Sequence, residues 1–198
     1  MNMKRLLTVV CVAMLTIAAS AQITWNVKAG AGVSTMWGGD VENTRTHIVA
    51  KIGVGLEKPL TRNLSLMPSL EVAVKGFKNG FDDYKYGWVK NTVDIFYAQI
   101  PILLAYRLPI AKEWNLVLKA GPYVAYSFYN HWKQSRIIGE PLSDELDVKK
   151  IDVGVDAGVD FEYHRFVFGA EAEMGFLSLD KHYNIKNLAF YATVGYKF

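Results

Sequence analysis

The sequence predicts an all-β chain, an eight-stranded antiparallel up-and-down transmembrane β-barrel. Three observations point there. Period-two alternation of apolar and polar residues recurs in eight segments from Thr24 to Phe198. The connections between them alternate, long after odd-numbered strands and short after even-numbered ones. Glycine gathers on the polar side of the alternation. Beyond the N-terminal stretch no segment is a continuous apolar run of the ~20 residues a spanning helix needs. A membrane reading is therefore β, because only a closed barrel then satisfies the backbone in lipid.

The first residues stand apart. Lys4 and Arg5 precede an apolar run, Leu6–Ala19, and Ala19-Ser20-Ala21 supplies small residues before Gln22. That order is a secretory signal peptide, with cleavage expected after Ala21. The run is short for a transmembrane anchor. The expected organisation is residues 1–21 as a cleaved signal and residues 22–198 as one barrel domain. Cys11, the single cysteine, leaves with the signal, so rigidity must come from something other than disulfides. The whole chain carries 22 Lys and Arg against 19 Asp and Glu. Losing Lys4 and Arg5 leaves 20 against 19, a net charge of +1. Such a balance excludes a nucleic-acid partner.

The strands follow in order. Thr24–Trp37 sets Trp25, Val27, Ala29, Ala31 and Val33 against Asn26, Lys28, Gly30, Gly32 and Ser34, with Trp25 and Trp37 bracketing the apolar face. Gly38 to Thr46 is a loop. His47–Glu57 alternates next, and Lys58–Asn63 is a short turn. Leu64–Phe77 contains Pro68, which removes a ladder donor and predicts a bulge or local break. Lys78–Gly87 reads as a longer loop. Trp88–Arg107 alternates least clearly, and Leu108–Trp114 with Pro109 reads as a turn. Asn115–Phe128 follows, then Tyr129–Asp147 as the longest loop. Val148–Tyr163 alternates Ile151, Val153, Val155, Ala157 and Val159 with Asp152, Gly154, Asp156, Gly158 and Asp160. His164-Arg165 is a two-residue hairpin turn into Phe166–Leu177. Ser178–Asn187 is the last loop, and Leu188–Phe198 closes the chain on an aromatic residue. That terminal strand resembles the assembly signal of outer-membrane β-barrels.

Alternation alone does not say which face is inside; a lipocalin-like soluble barrel has the same pattern reversed, around a cavity for a lipophilic ligand. Size decides. An eight-stranded interior is only wide enough to be filled by side chains. The polar face carries Gly30, Gly32, Gly53, Gly55, Gly121, Gly154, Gly158, Gly169, Gly175 and Gly195. It therefore goes inside, and the Trp, Phe, Tyr and Leu face meets lipid. That interior would hold Lys28, Lys51, Lys75, Arg107, Lys119 and Lys197 near Glu57 and Glu71, facing Asp152, Asp156, Asp160, Glu162, Glu171 and Glu173. In a ring of eight, strand six stands opposite strand two and seven opposite three. Charges so buried demand pairing, which predicts a cross-lumen network filling the bore. The alternative is a narrow porin-like channel through the same polar core.

Chemistry is sparsely signalled. The four histidines are His47, His131, His164 and His182. Ser178, Asp180 and His182 form the one tempting cluster, in a loop where solvated turn residues are commoner. No CxxC, HExxH, phosphate loop or paired-histidine spacing appears. The reading expects no catalytic, cofactor-binding or metal site, no cofactor and no enzyme. Aromatic residues crowd two predicted loops, Phe77, Phe81, Tyr84, Tyr86 and Trp88 in one, Tyr126, Phe128, Tyr129 and Trp132 in the other. They read as an interfacial girdle or as a contact surface for a ligand or protein.

Tyr97-Ala98-Gln99-Ile100-Pro101-Ile102-Leu103-Leu104-Ala105-Tyr106 resembles the Tyr-x-x-Ile-Pro-Leu-Leu-x-x-Tyr strand of the small PorT-like outer-membrane β-barrel family. Ala120-Gly121-Pro122-Tyr123-Val124 resembles the family's next strand, and Val194-Gly195-Tyr196-Lys197-Phe198 its closing one. Glu173-Met174-Gly175-Phe176-Leu177 departs from the family's Tyr-Gly-Leu. The resemblance implies an eight-stranded outer-membrane barrel and no particular activity. The combined expectation is an exported outer-membrane protein with periplasmic termini and a structural or interaction role through its external loops. Its partners would be outer-membrane lipid, the barrel assembly machinery through the C-terminal strand, and an unidentified loop ligand or protein.

Overall fold

A computed structural model of the chain describes residues 23–38, 44–83, 87–136, 142–144, 150–178 and 185–198. Eight long strands close into one antiparallel barrel. They are β1 (Thr24–Trp37), β2 (His47–Pro59), β3 (Leu64–Asp83), β4 (Gly87–Ala111), β5 (Trp114–Arg136), β6 (Ile151–Tyr163), β7 (Phe166–Gly175) and β8 (Lys186–Lys197). Each pairs with its sequence neighbours, and β1 pairs with β8 from Asn26↔Lys197 to Trp37↔Lys186, which closes the ring. Two short segments lengthen the sheet: Thr44–Arg45 pairs with β3, and Leu142–Asp144 with β5. Closure leaves no free edge in the body of the barrel.

The faces fall as size required. Ile48, Ile52, Val54, Leu104, Val124, Phe161, Phe168, Phe190 and Val194 are exposed on the outside. Lys51, Lys75, Glu71, Asp152, Asp156, Glu171 and Glu173 are buried within. Interior glycines stand where a neighbouring charge needs space: a Cβ on Gly53 would lie 2.6 Å from Glu71 Cγ, and one on Gly169 only 2.0 Å from Asp160 Oδ1.

Several boundaries differ from the sequence reading. Pro68 makes no bulge, because β3 keeps one register with β4 from Leu64↔Tyr106 to Asp83↔Gly87, but the pairing is locally interrupted beside it, between Pro68↔Ile102 and Glu71↔Gln99 and between Gly55↔Ser69 and Lys58↔Leu66. The missing donor costs a ladder bond without adding a residue. The segment taken as a loop at Lys78–Gly87 is mostly hairpin, since its residues find cross-strand partners that propensity does not reveal. Likewise β4 runs through Pro109 to Ala111, so the turn shrinks to Lys112-Glu113. β5 continues to Arg136, eight residues past Phe128. An irregularity between Phe96 and Tyr97 shifts the β4–β5 register there, so Phe128 and Tyr129 are both exposed. That re-phasing hid the continuation from a period-two search. At the other end β6 starts at Ile151, and β7 stops at Gly175. His164-Arg165 is the expected tight turn, with His164 in the left-handed region at φ 52°.

Candidate functional site in the barrel lumen

The lumen is a stack of layers. Nearest the chain termini, Arg107 on β4 reaches Glu57 on β2 at 2.6 Å and Glu162 on β6 at 2.9 Å. Lys197 on β8 binds Glu57 at 2.6 Å and also Glu162. Above this knot lies a cavity of 40 Å³ bordered by Lys28, Ser69, Lys119, Asp160 and Thr193. A water needs about 10–15 Å³ by this measure, so the space admits a few waters.

The middle layer centres on β7. Glu171 meets Lys28 at 2.9 Å, Lys119 at 2.6 Å and Lys51. Glu173 meets Lys51 at 2.8 Å and Lys75 at 2.7 Å, and Gln99 Nε2 donates to it at 2.9 Å. Glu71 takes Lys28 at 2.9 Å and hydrogen bonds from Ser69 and Gln99. Lys75, fully buried, also lies 4.3 Å from the Tyr123 ring centroid. A belt of uncharged donors around one carboxylate follows: Asn187 Nδ2 donates to Tyr97 Oη and to Asp152 Oδ2, and Tyr123 Oη donates to the same Asp152 oxygen. Met36, Val93, Ile95, Tyr97, Tyr123 and Ala125 then form an apolar plug, with Phe77 and Ile185 packed against it.

The predicted cross-lumen network is present, and all six predicted cations take part. The opposition of strands is only partly as expected. Lys75 of β3 does meet β7, but Lys51 of β2 also meets β7 rather than β6. On β6, Asp160 pairs with Lys119 of the adjacent β5, and Glu162 joins the knot. Asp152 has uncharged donors instead of an ion pair, and neither Asp156 oxygen has a hydrogen-bond partner among the described residues. Asp156, Glu171 and Glu173 bring oxygens within 4.8 Å of one another, but Lys51 already binds both glutamates. Several contributors escaped the sequence reading, Ser69 and Tyr123 among them. Gln99, Asn187 and Tyr97 are uncharged, so a search for ionisable pairs passes over them.

The other predicted residues scatter. His47 Nε2 lies 2.5 Å from Asp94 Oδ1, where β2 leaves the wall. Beside it the Ser34 hydroxyl accepts from Gly76 N and donates to Gly76 O, sealing β1 to β3. His164 stands 3.3 Å from Glu113 in an exposed turn. Ser178 Oγ accepts from the Ile185 amide, while Asp180 and His182 lie outside the described residues. Phe77 points inward, contrary to the girdle reading, because it shares the parity of Lys75. Phe96, Phe128 and Tyr129 do form an outer aromatic cluster, with ring centroids 5.6–6.3 Å apart about Phe96. Of the remaining loop aromatics, Tyr84 and Tyr86 lie outside the described residues.

Two solved structures show the same fold. Ail, the attachment invasion locus protein of Yersinia pestis, in complex with the heparin analogue sucrose octasulfate, is 18% identical, with a TM-score of 0.50 over 89% of this chain and 99% of that one. Neisserial surface protein A (NspA) is 14% identical, with a TM-score of 0.53 over 88% of this chain and 97% of that one. No curated protein matches the chain. The family model for the outer membrane protein β-barrel domain matches residues 18–181. With its closed ring, lipid-facing apolar surface and filled bore, the chain belongs to the outer membrane protein β-barrel domain family and is an integral protein of the outer membrane.

Proposed function

We propose that this protein is a non-catalytic interaction barrel, exported by Met1–Ala21 and seated with both termini in the periplasm. It acts through the part of β3, β4 and β5 that stands outside the membrane. One observation carries the reading: these strands run 20, 25 and 23 residues, while ~9–11 suffice to cross at a tilt. β5 continues ten residues past Tyr126, the position paired with the first residue of β6. The excess forms a sheet wing at the end opposite the two-residue turns. The layered bore makes transport an unsuitable use, and the reading assigns the protein no cofactor or metal. The motifs around Tyr97–Tyr106 and Gly121-Pro122-Tyr123 favour a place in the PorT-like group. The closing strand, ending at Phe198, is the part offered to the assembly machinery.

The test places a photo-crosslinking amino acid at Ser135 in the wing or at Ile52 on the lipid face, in living cells. Discrete protein adducts at position 135 and none at 52 are expected, while the purified barrel in planar bilayers shows no steady conductance. Steady conductance by the wild-type barrel, or no adduct at either position, overturns the reading.

A further inference from the structure

The turn end of the barrel carries a charge pattern that the lumen does not absorb. Residues 60–63 join β2 to β3, Lys112-Glu113 joins β4 to β5, and His164-Arg165 joins β6 to β7. Each turn has a cation of its own: Arg62 with Lys58 beside it, then Lys112, then Arg165. Arg62, Lys112 and Arg165 are exposed and Lys58 is half-buried, and none of the four makes an ion pair among the described residues. Outside the bore, Glu113 is the one carboxylate side chain described at this end, and His164 stands 3.3 Å from it. The inward Glu57 and Glu162 are already taken by Arg107 and Lys197. The first turn is well built: Thr61 Oγ1 accepts from Leu64 N, and Asn63 Nδ2 donates to Arg107 O, both at 3.1 Å.

The neighbours of these cations are apolar and just as open. Leu60 and Ile110, in and beside the same turns, are 49% and 55% exposed. Trp114 lies two residues from Lys112, about 7 Å along the chain, and Phe166 follows Arg165 directly. Their rings join an outer aromatic belt, Trp114 packing on Tyr163 at 4.7 Å and Phe166 on Tyr196 at 5.3 Å between centroids. Aliphatic tips would be stranded in water if the turns projected past the membrane. The edge of the lipid therefore lies at the turns themselves.

From this collar of Lys58, Arg62, Lys112 and Arg165, set among exposed Leu60 and Ile110, we propose that the turn end binds the headgroups of anionic phospholipids in the inner leaflet of the outer membrane. The inference rests on the periplasmic placement of the turns proposed above. Long basic side chains lay their stems along apolar surface and carry the charge to phosphate level. Arg62 and Arg165 add a planar fork that suits two phosphate oxygens at once. Successive turns are two strands apart, so the cations repeat about every 10 Å around the ring and reach separate headgroups. An anionic cell-wall polymer could meet the same charges, but it would leave Leu60 and Ile110 in water. A cation near an anionic membrane surface strengthens association about fivefold.

The experiment uses the full barrel refolded in uncharged detergent and titrated with phosphatidylglycerol, phosphatidylcholine or a soluble anionic muropeptide, with bound lipid counted by native mass spectrometry. Expected is preferential retention of phosphatidylglycerol, lowered about fivefold by Arg165→Gln. The combined Lys58→Gln, Arg62→Gln, Lys112→Gln, Arg165→Gln variant should lower it about a hundredfold or more. Lys150→Gln, exposed at the opposite end, is expected to leave it unchanged. Each variant is first required to keep the wild-type heat-modifiable gel shift. Equal retention of phosphatidylcholine, equal retention by the combined variant, or displacement of the lipid by the muropeptide each overturns the proposal. The placement is read separately, with a Lys112→Cys barrel and a membrane-impermeant maleimide, which should label only after the outer membrane is permeabilised. Labelling of intact cells refutes the periplasmic turns while the lipid titration still reports on headgroup binding.

Discussion

Two carboxylates in the middle layer should respond oppositely to the loss of their charge. Glu171→Gln keeps the volume and removes the anion shared by Lys28, Lys51 and Lys119. Lys28 retains Glu71, Lys51 retains Glu173 and Glu71, and Lys119 retains Asp160, so none is orphaned outright. All three nonetheless lose a contact in a layer closed to solvent. Breaking a buried pair costs about 3–5 kcal/mol, and at ~2 kcal/mol/M that lowers the urea midpoint by roughly 1.5–2.5 M. Asp156→Asn removes the same charge a few ångströms away, where the carboxylate has no hydrogen-bond partner among the described residues. The described interior holds eight carboxylates, Glu57, Glu71, Asp152, Asp156, Asp160, Glu162, Glu171 and Glu173, against six cations. Losing Asp156 improves that balance, and the new amide donates towards Glu171 and Glu173. Its midpoint should match or exceed that of the wild type. The assay is urea unfolding in lipid vesicles, followed by tryptophan fluorescence and by gel mobility without boiling. Equal losses for both variants would refute the assigned pairing. A double variant that inserts normally yet conducts would refute the filled bore.

Gly169→Ala forces a methyl group to within 2.0 Å of Asp160 Oδ1, so refolding yield should fall and stability drop by about 1–3 kcal/mol, read from the same urea curves. Asn187→Ala strips one donor from Asp152 and another from Tyr97 and should cost about 1–3 kcal/mol, whereas Tyr97→Phe loses a single hydrogen bond and should cost about 1 kcal/mol. Ile52→Lys, on the outer face at mid-strand, should destabilise the inserted barrel by about 2–4 kcal/mol, against ~0–1 for Ile110→Lys close to the turn end. A result the other way round would put the lipid band at the wrong height.

Closure, strand number and the inward placement of charge were legible because they follow from period two and from side-chain volume. Lys51 and Glu173 must face inward once Ile52 and Met174 face lipid. Which cation meets which anion was not legible. Shear displaces strands along the ring, so Lys51 finds β7 instead of the β6 that simple opposition assigns it. The wing was missed for a different reason. Beyond Phe128 the bulge inverts parity, and the sequence there is polar and aromatic on both faces. Such a stretch has no period to detect, yet its pairing with β4 continues to Val89↔Arg136. The Asn187–Asp152–Tyr123 belt was invisible because Asn187 sat in a segment taken for loop.

Filling the bore with charge instead of hydrocarbon has a physical logic that joins folding to location. An apolar interior would make each strand apolar on both faces and turn β6 into a continuous hydrophobic run. Asp152, Asp156, Asp160 and Glu162 instead interrupt it at every second or fourth residue. No stretch of the barrel then approaches the length at which a translocating chain is retained as a helix. The same charges become costly when the barrel is shut, and the cost is met only if every strand delivers its partner at once: Lys28 from β1, Lys51 from β2, Lys75 from β3, Gln99 from β4 and Lys119 from β5 all converge on two glutamates of β7. A half-closed barrel leaves cations without carboxylates. The network therefore opposes partly closed forms more strongly than it favours the native one, and all-or-none closure follows from the lumen as much as from the ladder.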